Sequence, residues 1–272
     1  MNPVCYIVDT TLRDGEQSPS VAMSMEQKVE IASLLEHAGV YQLEAGTPAM
    51  GEYEIETIRA IMNKRSRIKV STWNRMREDD IAKSFSCKPD IIHISAPVSY
   101  AQIYTKLNKN KAWLLKKLLY LVDLVRQEGY EVTVGFEDAT RADMSFLISL
   151  SHRLHEVGVS RIRVADTVGV SAPGPIAEMV HQLKVGCGLP IEIHSHNDLG
   201  MAVATSVAAA KSGAEYINTT LGGIGERAGN CRFGEFVFAA ERLFQLSLNA
   251  QQAFALEHKM QTIVGTEKIP IC

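Results

Sequence analysis

The sequence predicts a TIM (β/α)8 barrel. Short apolar runs alternate with helical patterns along the whole chain, and no low-complexity segment or Pro/Gly-rich linker interrupts them. The runs cover residues 4–9, 41–46, 67–73, 90–95, 130–137, 161–167, 190–196 and 214–220. Eight strand–helix units in about 250 residues are the number and size typical of this fold. A doubly wound sheet is the alternative, which eight units in one uninterrupted chain disfavour.

Helical patterns follow the strands at about 24–38, 53–64, 78–86, 111–128, 143–157, 174–186, 200–212 and 232–248. The first begins with a capping box formed by Ser24 and Gln27, and Gly39 follows its end. We assign the barrel to residues 1–250 and treat 251–272 as a short C-terminal extension.

The composition is that of a globular protein of 272 residues, 46% apolar, with a net charge of -3. Because there is no long basic run, nucleic acid is not expected as a partner. No apolar stretch is long enough to cross a bilayer, and no signal peptide is recognisable. The five cysteines are scattered and form no CxxC pair, which favours a reducing cytoplasm.

Polar residues share one side of several predicted strands. In strand seven, Glu192, His194 and His196 are separated by single residues, of which Ile193 is apolar. In strand six, Arg163 lies between two apolar residues. Because residues i and i+2 of a strand point to the same side, the polar set faces the barrel interior. We expect an ion pair between Arg163 and Glu192. The remaining inward polar residues near the catalytic mouth are Glu44, Glu137, Thr167, His194 and His196.

The segment "DTTLRDGEQ" (9–17) follows strand one and brings carboxylates to the mouth that contains His194 and His196. Two imidazoles and one carboxylate with open positions suit a divalent metal that also holds a substrate. The segment alone could be an ordinary hydrophilic loop. Its position beside the two histidines favours a metal site.

Two further segments have competing interpretations. "LGGIGERAGN" (221–230) contains the spacing of a dinucleotide-binding motif, but no further βαβ unit follows, so a flexible loop over a ligand is the better hypothesis. In "FEDATRAD" (136–143), Glu137 has the inward parity, whereas Asp138 and Arg141 could equally be surface charges. His93 is expected to be an interior hydrogen-bonding histidine.

The motifs "DTTLRDGEQ", "HSHNDLG" and "GGIGERAGN", in this order on an eight-strand barrel, resemble the DRE-TIM metallolyase superfamily. They look like its Claisen-condensing homocitrate, 2-isopropylmalate and citramalate synthases. The stretches "EAGTPAMGEYE", "HISAPVS" and "VGFEDATRAD" look most like the homocitrate synthases of nitrogen fixation. Those of the lysine pathway carry on strand five an arginine for the distal carboxylate of 2-oxoglutarate, and here Thr133 occupies that place.

The resemblance implies a role for each candidate residue. The ligands of one divalent ion (Mg, Mn or Zn) would be Asp14, His194, His196 and, as a further or outer ligand, Asn230. Arg13 would lie on the keto oxygen of the 2-oxo acid, with Glu44 fixing its orientation. Thr167 would hold the 1-carboxylate, Gln17 would help to position the reacting groups, and Glu137 would belong to the base relay for acetyl-CoA.

The resemblance also implies a partner. Full-length synthases of this type continue from the barrel into a helical region with a catalytic histidine and tyrosine. This sequence ends at "TEKIPIC", just after the barrel. A truncated chain, an inactive paralogue and a split enzyme would each look like this. We expect a split enzyme, in which a second subunit carries that region and the isolated chain is a poor catalyst.

Two other functions compete with condensation of acetyl-CoA and 2-oxoglutarate. A 3-hydroxy-3-methylglutaryl-CoA lyase would carry a cysteine inside the glycine loop, whereas Cys231 follows Asn230. A non-catalytic barrel that stabilises a partner would have no need to retain the Asp and His set.

Overall fold

The computed structural model describes residues 2–19 and 21–265, which form a closed barrel of parallel strands in sequential order. The strands are β1 (Tyr6–Asp9), β2 (Gln42–Gly46), β3 (Lys69–Arg75), β4 (Ile91–Pro97), β5 (Glu131–Glu137), β6 (Arg161–Asp166), β7 (Ile191–Ser195) and β8 (Tyr216–Thr219). β1 pairs with β8 as well as with β2, which closes the barrel. The predicted TIM barrel is confirmed.

Helices surround the barrel: α1 (Met25–His37), α2 (Glu52–Lys64), α3 (Glu78–Cys87), α4 (Lys111–Gln127), α5 (Met144–Glu156), α6 (Pro173–Cys187), α7 (Ala202–Lys211), α8 (Phe233–Ala240) and α9 (Ala250–Val264). The predicted capping box of α1 is present, because Ser24 and Gln27 bond reciprocally. Within the described residues, no helix has the length and apolar character needed to cross a membrane.

The predicted helix at 232–248 is wrong in its second half, since α8 ends at Ala240. The following segment pairs with the N-terminus instead: Gln245 N donates to Pro3 O at 2.9 Å, and Cys5 N donates to Gln245 O at 3.2 Å. Phe244 and Leu248 are buried. Their spacing of four residues imitates a helical repeat, which explains the error.

The helix α9 lies where the sequence analysis expected only a short extension. Asn249 and Gln252 form a capping box at its start, and the helix packs against α8 and α1. The capping box is visible in the sequence and could have predicted this helix. Residues 266–272, the rest of the expected extension, lie outside the described residues.

The barrel interior contains a chain of alternating charges. The predicted pair is confirmed, with Arg163 Nε 2.6 Å from Glu192 Oε1. Arg163 Nη2 also lies 2.6 Å from Glu44 Oε2, and Arg161 Nε lies 2.9 Å from Glu192 Oε2. All four side chains are buried. Removing one member would leave an uncompensated buried charge, so this arrangement holds the interior groups in fixed positions.

Candidate active site

A cavity of about 630 Å³ opens at the carboxyl ends of the strands. Among the predicted site residues, those that line it are Arg13, Asp14, Gln17, Glu137, Thr167, His194 and His196. The other two lie next to this set: Glu44 is buried beneath Arg13, and Asn230 contacts Asp14. The structure therefore brings all nine predicted residues into one site.

Asp14, His194 and His196 offer ligand atoms that all lie within 4.8 Å of one another. His194 Nε2 is 3.2 Å from His196 Nε2 and 3.5 Å from Asp14 Oδ2. Two nitrogen ligands of one ion stand about 2.9–3.4 Å apart when each bond is about 2.1 Å long. The separation of the imidazoles thus fits two ligands of a single cation.

The tautomer of His194 also suits metal binding. Its Nδ1 lies 2.9 Å from Asn218 Oδ1, and Asn218 Nδ2 donates to Glu192 Oε1 at 3.0 Å. Because the amide NH2 is committed to Glu192, the amide oxygen must accept from His194 Nδ1–H. The lone pair of His194 is therefore on Nε2, which faces the other ligand atoms.

Protonation favours a ligand set of one carboxylate and neutral imidazoles. Burial lowers the pKa of His194, and it lowers the pKa of His196 to about 4. Burial alone would raise the pKa of Asp14, but the charge of Arg13, and those of the two histidines once low pH has protonated them, outweigh burial and hold that pKa below its ordinary value.

Asn230 connects the loop after β8 to the metal-ligand set. Its Nδ2 donates to Asp14 Oδ1 at 2.8 Å and to Ile224 O at 3.0 Å. Both partners are acceptors, so the amide orientation is fixed, and Asn230 Oδ1 is buried without a partner among the described residues. An orphaned buried amide oxygen fits the predicted further ligand.

Arg13 is held by two carboxylates at once. Its Nε lies 2.7 Å from Glu44 Oε1, and its Nη1 lies 2.8 Å from Asp14 Oδ2. Glu44 is itself fixed by Thr10 Oγ1, which donates to Oε1 at 3.0 Å. Arg13 lines the cavity, and within the described residues its Nη2 makes no hydrogen bond. This geometry leaves one donor edge for a ligand.

Thr167 and Glu137 lie on the adjacent wall. Thr167 Oγ1 accepts a hydrogen bond from Asp138 N at 2.8 Å, which leaves its O–H free to donate into the cavity. Glu137 Oε1 lies 2.7 Å from Lys106 Nζ. Asp138 is not a surface charge, because it is buried and paired with Arg141 at 2.6 Å.

Three further residues of the site were not predicted from the sequence: Trp73, Lys106 and Asn218. Trp73 lines the cavity, and Arg13 Cζ lies 5.6 Å from its ring centroid. Trp73 and Asn218 have the inward parity of β3 and β8, so the alternation argument could have found them. Lys106 belongs to a π-helical turn, Gln102–Lys106, for which the sequence gives no periodic signal.

The loop at 221–230 is hydrogen-bonded to α9 and bridged to the end of β7. Glu257 of α9 accepts hydrogen bonds from Gly222 N and Gly234 N, both at 2.9 Å. The glycines of the loop allow close approach: a Cβ on Gly225 would stand 2.1 Å from Asn230 Nδ2. The loop folds back onto His196 through a β-bridge with Asn230, which is not the geometry of a dinucleotide site.

Asp9, the last residue of β1, is a buried carboxylate. Oδ1 accepts from Thr11 N at 2.9 Å, and Oδ2 has no partner among the described residues. Burial raises the pKa of Asp9 to about 7, with nearby Glu257 adding to the rise and Thr11 opposing it.

We expect Asp9→Asn to stabilise the protein above pH 7. Because the pKa is raised by folding, the folded state disfavours ionisation, so the stability associated with Asp9 is lost as pH rises from about 4 to about 7. The variant should resist urea better than the wild type by about 1–3 kcal/mol at pH 8. At pH 5 the difference in free energy of unfolding between the variant and the wild type should be smaller. An equal gain at both pH values would contradict the titration of Asp9.

The chain is similar to known enzymes over most of its length. Residues 4–263 match the family described as HMGL-like. Homocitrate synthase subunit alpha of Clostridium pasteurianum is 46% identical over 237 residues, which are 87% of this chain and 88% of that protein. 2-Isopropylmalate synthase 2 of Caldanaerobacter subterraneus subsp. tengcongensis is 40% identical over 89% of this chain, which spans 63% of that protein.

A solved structure shows the same fold. Hydroxymethylglutaryl-CoA lyase from Pseudomonas aeruginosa superimposes with a TM-score of 0.86 and 15% identity, covering 99% of this chain and 96% of that one. Because the family match extends over almost the whole barrel, this chain belongs to the HMGL-like family of DRE-TIM proteins.

Proposed function

We propose that this chain is the barrel of an acyltransferase that condenses acetyl-CoA with 2-oxoglutarate to give homocitrate and CoA. The observation that carries the proposal is Arg13, whose guanidinium bridges Glu44 and Asp14 beside the two histidines. Preorganised positive charge at this position suits a reaction in which a keto oxygen becomes an alkoxide. Claisen condensation on a 2-oxo acid is such a reaction.

The site would bind one divalent ion (Mg, Mn or Zn) through Asp14, His194, His196 and, as a further or outer ligand, Asn230. Such an ion supplies Lewis acidity to the oxygens of a 2-oxo acid. The fit rests on the spacing of the imidazoles and on the orphaned Asn230 Oδ1.

The protein groups would orient the 2-oxo acid. Arg13 would donate from its free edge to the keto oxygen, while Glu44 keeps the guanidinium plane fixed. Thr167 would donate its O–H to the 1-carboxylate, since its oxygen already accepts from Asp138 N. Gln17 lines the same cavity and would help to position the reacting groups.

Bond formation needs a base. The acetyl methyl group loses a proton, its carbon bonds to the keto carbon, and the carbonyl electron pair moves to the oxygen, which is then protonated. Hydrolysis of the thioester releases CoA. Glu137 would belong to the relay that removes the methyl proton, a role supported by its place in the cavity wall.

The relatives support this chemistry and differ in the oxo acid that their names imply. Homocitrate synthase subunit alpha has the higher identity and matches over most of its length, which favours 2-oxoglutarate. A 2-isopropylmalate- or citramalate-type synthase, using another 2-oxo acid, is the alternative. A role in making homocitrate for the nitrogenase cofactor rests on the sequence resemblance alone.

The word "subunit" in the name of the Clostridium relative supports a split enzyme. We therefore propose a second subunit that carries the helical region with further catalytic groups. The cytoplasm is the proposed location, supported by four buried free cysteines: Cys5, Cys87, Cys187 and Cys231.

The glycine loop does not support the alternative function of a 3-hydroxy-3-methylglutaryl-CoA lyase. Burial raises the pKa of Cys231 to about 12, and this side chain is fully buried. A thiol in this state is a poor acid or nucleophile at neutral pH.

A panel assay tests the proposed function. The metal-loaded chain, with and without its candidate partner subunit, would be given acetyl-CoA and a series of 2-oxo acids while thiol release is followed. We expect 2-oxoglutarate to be the preferred acid, with turnover rising about 100- to 10000-fold when the partner restores proton transfer. Preference for a branched or shorter oxo acid would favour the alternative, and full activity without the partner would refute the split enzyme.

A further inference from the structure

Arg227 lies in the loop after β8, in a motif of which the proposed roles use only Asn230. Its backbone has φ of 55°, a left-handed conformation that is unfavourable for a residue with a Cβ. The other positions of this loop with positive φ are glycines: Gly222, Gly223, Gly225 and Gly229. A strained backbone at a non-glycine residue often marks a functional contact of its side chain.

The guanidinium of Arg227 forms a two-pronged ion pair with Asp198, in the loop after β7. Nε lies 2.9 Å from Asp198 Oδ1, and Nη2 lies 3.0 Å from Asp198 Oδ2. Nη2 also donates to Thr167 O, in the loop after β6, at 2.9 Å. One side chain therefore connects the loops after β6, β7 and β8. The planar fork of an arginine permits these contacts at the same time.

The backbone around Asp198 is shaped to accept this contact. Gly169, in the loop after β6, has φ of 66°, and a Cβ on it would stand 2.1 Å from Asp198 Oδ2. The hydrogen bonds from Arg227 lower the pKa of Asp198, so this carboxylate is ionised at neutral pH. Arg227 is partly exposed, and an exposed ion pair alone contributes little to stability. The contact is therefore better explained by what it positions.

Each of the three connected loops carries a residue of the proposed site. Arg227 contacts the backbone of Thr167 itself. Asp198 follows His196 by two residues, and Asn230 follows Arg227 by three. The contact thus lies between the residue proposed for the 1-carboxylate of the 2-oxo acid and two residues proposed for the metal.

Backbone hydrogen bonds already join the loops after β7 and β8. Asn197 N donates to Gly229 O at 2.9 Å, and a β-bridge links the two segments one residue further on. The proposed metal ligands on these segments therefore keep their separation without the guanidinium. The bond from Arg227 to Thr167 O adds the loop after β6 to this pair.

We propose that Arg227 is a positioning residue that holds Thr167 at a fixed distance from the metal ligands, so that one 2-oxo acid can contact both. The inference rests on the proposed function, in which Thr167 donates to the 1-carboxylate of that acid. A displaced Thr167 would lose this hydrogen bond, whereas the metal ligands and the binding of acetyl-CoA would change little.

The variant Arg227→Gly removes the guanidinium and suits the left-handed backbone. Its steady-state kinetics would be measured in the metal-loaded enzyme with its partner subunit. Loss of a hydrogen bond to a charged group costs about 10- to 100-fold in binding. We expect the KM for 2-oxoglutarate to rise by this factor, while the KM for acetyl-CoA stays within a few-fold of the wild type.

Two further variants show whether the contact with Asp198 is responsible. Asp198→Ala should raise the same KM, and the double variant of Arg227→Gly with Asp198→Ala should be no worse than Arg227→Gly alone, because both changes break one contact. Arg227→Lys keeps the charge without the fork and should recover only part of the lost affinity.

Hydrogen exchange gives a readout that does not depend on turnover. The amide of Gly169 donates to Asp166 O at 3.0 Å and should exchange faster in Arg227→Gly, while the metal content stays close to that of the wild type. The matched control is Lys88→Gly. Lys88 is an exposed cation with φ of 51° after α3, at the opposite end of the barrel. This control should keep the wild-type KM values, exchange at Gly169 and metal content.

The outcomes separate the two claims. An unchanged KM for 2-oxoglutarate in Arg227→Gly would overturn the inference and leave the proposed function standing. Loss of the metal, or an equal rise in the KM for acetyl-CoA, would also overturn it, since the defect would then affect the whole mouth. Failure of the wild type to condense any 2-oxo acid would overturn the proposed function, and with it the role of Arg227, even if exchange showed that the loops are joined.

Discussion

Arg13→Lys is expected to slow condensation by about 100- to 1000-fold while the protein still folds and binds metal. In the wild type, Nε and Nη1 of Arg13 contact Glu44 and Asp14, and the remaining edge is left for the keto oxygen. A lysine ammonium keeps the charge but cannot reach two carboxylates and a substrate oxygen in one plane. The measurement is kcat with 2-oxoglutarate, together with the metal content of the purified variant.

A rim arginine provides the matched control for this prediction. Arg77 lines the outer cavity, and its side chain is 60% exposed. Arg77→Lys should change kcat by no more than a few-fold. If Arg13→Lys also turned over within a few-fold of the wild type, Arg13 would not be on the developing alkoxide.

His196→Ala is expected to lose most of the bound metal and nearly all activity. His196 Nε2 is one of three ligand atoms in the Asp14, His194 and His196 cluster, and an alanine leaves two. Divalent metals need the full donor set to compete with water. Metal analysis of purified protein should give close to one equivalent in the wild type and a small fraction of it in the variant.

The control for the histidine variant is His181→Ala, which removes an exposed histidine on α6. It should retain the metal stoichiometry and the activity of the wild type. Unchanged metal content in His196→Ala would refute the metal centre, because the remaining two ligands would then have been sufficient or irrelevant.

The barrel could be predicted because its strands carry a strong local signal. Alternation of isoleucine with polar residues in β7 fixes which side chains face inward, and the number of strand–helix units indicates closure. The same parity predicted that Arg163 and Glu192 would meet, since the two lie on adjacent strands and in register.

Contacts between distant parts of the chain could not be predicted in this way. Arg161 Nη2 bonds to Gln42 Oε1 across the barrel, and Arg163 reaches Glu44 over the same sequence separation of 119 residues. The alternation of residues along the strands predicts that these groups face the barrel interior. It does not predict which partner each group contacts. The shape of the closed barrel decides that pairing.

The errors in the sequence analysis also have local causes. The sequence does not distinguish a surface charge from a buried one at Asp138; in the structure the backbone there has φ of 61°, and the buried carboxylate is paired with Arg141. Lys106 escaped notice because the turn containing it has no periodic pattern. The ion pair between Lys106 and Glu137 depends on the conformation of the loop after β4.

The central claim is that a divalent ion held by Asp14, His194 and His196 is required for condensation assisted by Arg13. The most direct test starts from metal-free protein, combined with its partner subunit, and follows homocitrate formation from acetyl-CoA and 2-oxoglutarate as a divalent cation is added. We predict almost no homocitrate before addition and a rate that rises linearly to a break at about one cation per chain. Full turnover of the metal-free protein in the presence of a chelator would contradict the claim.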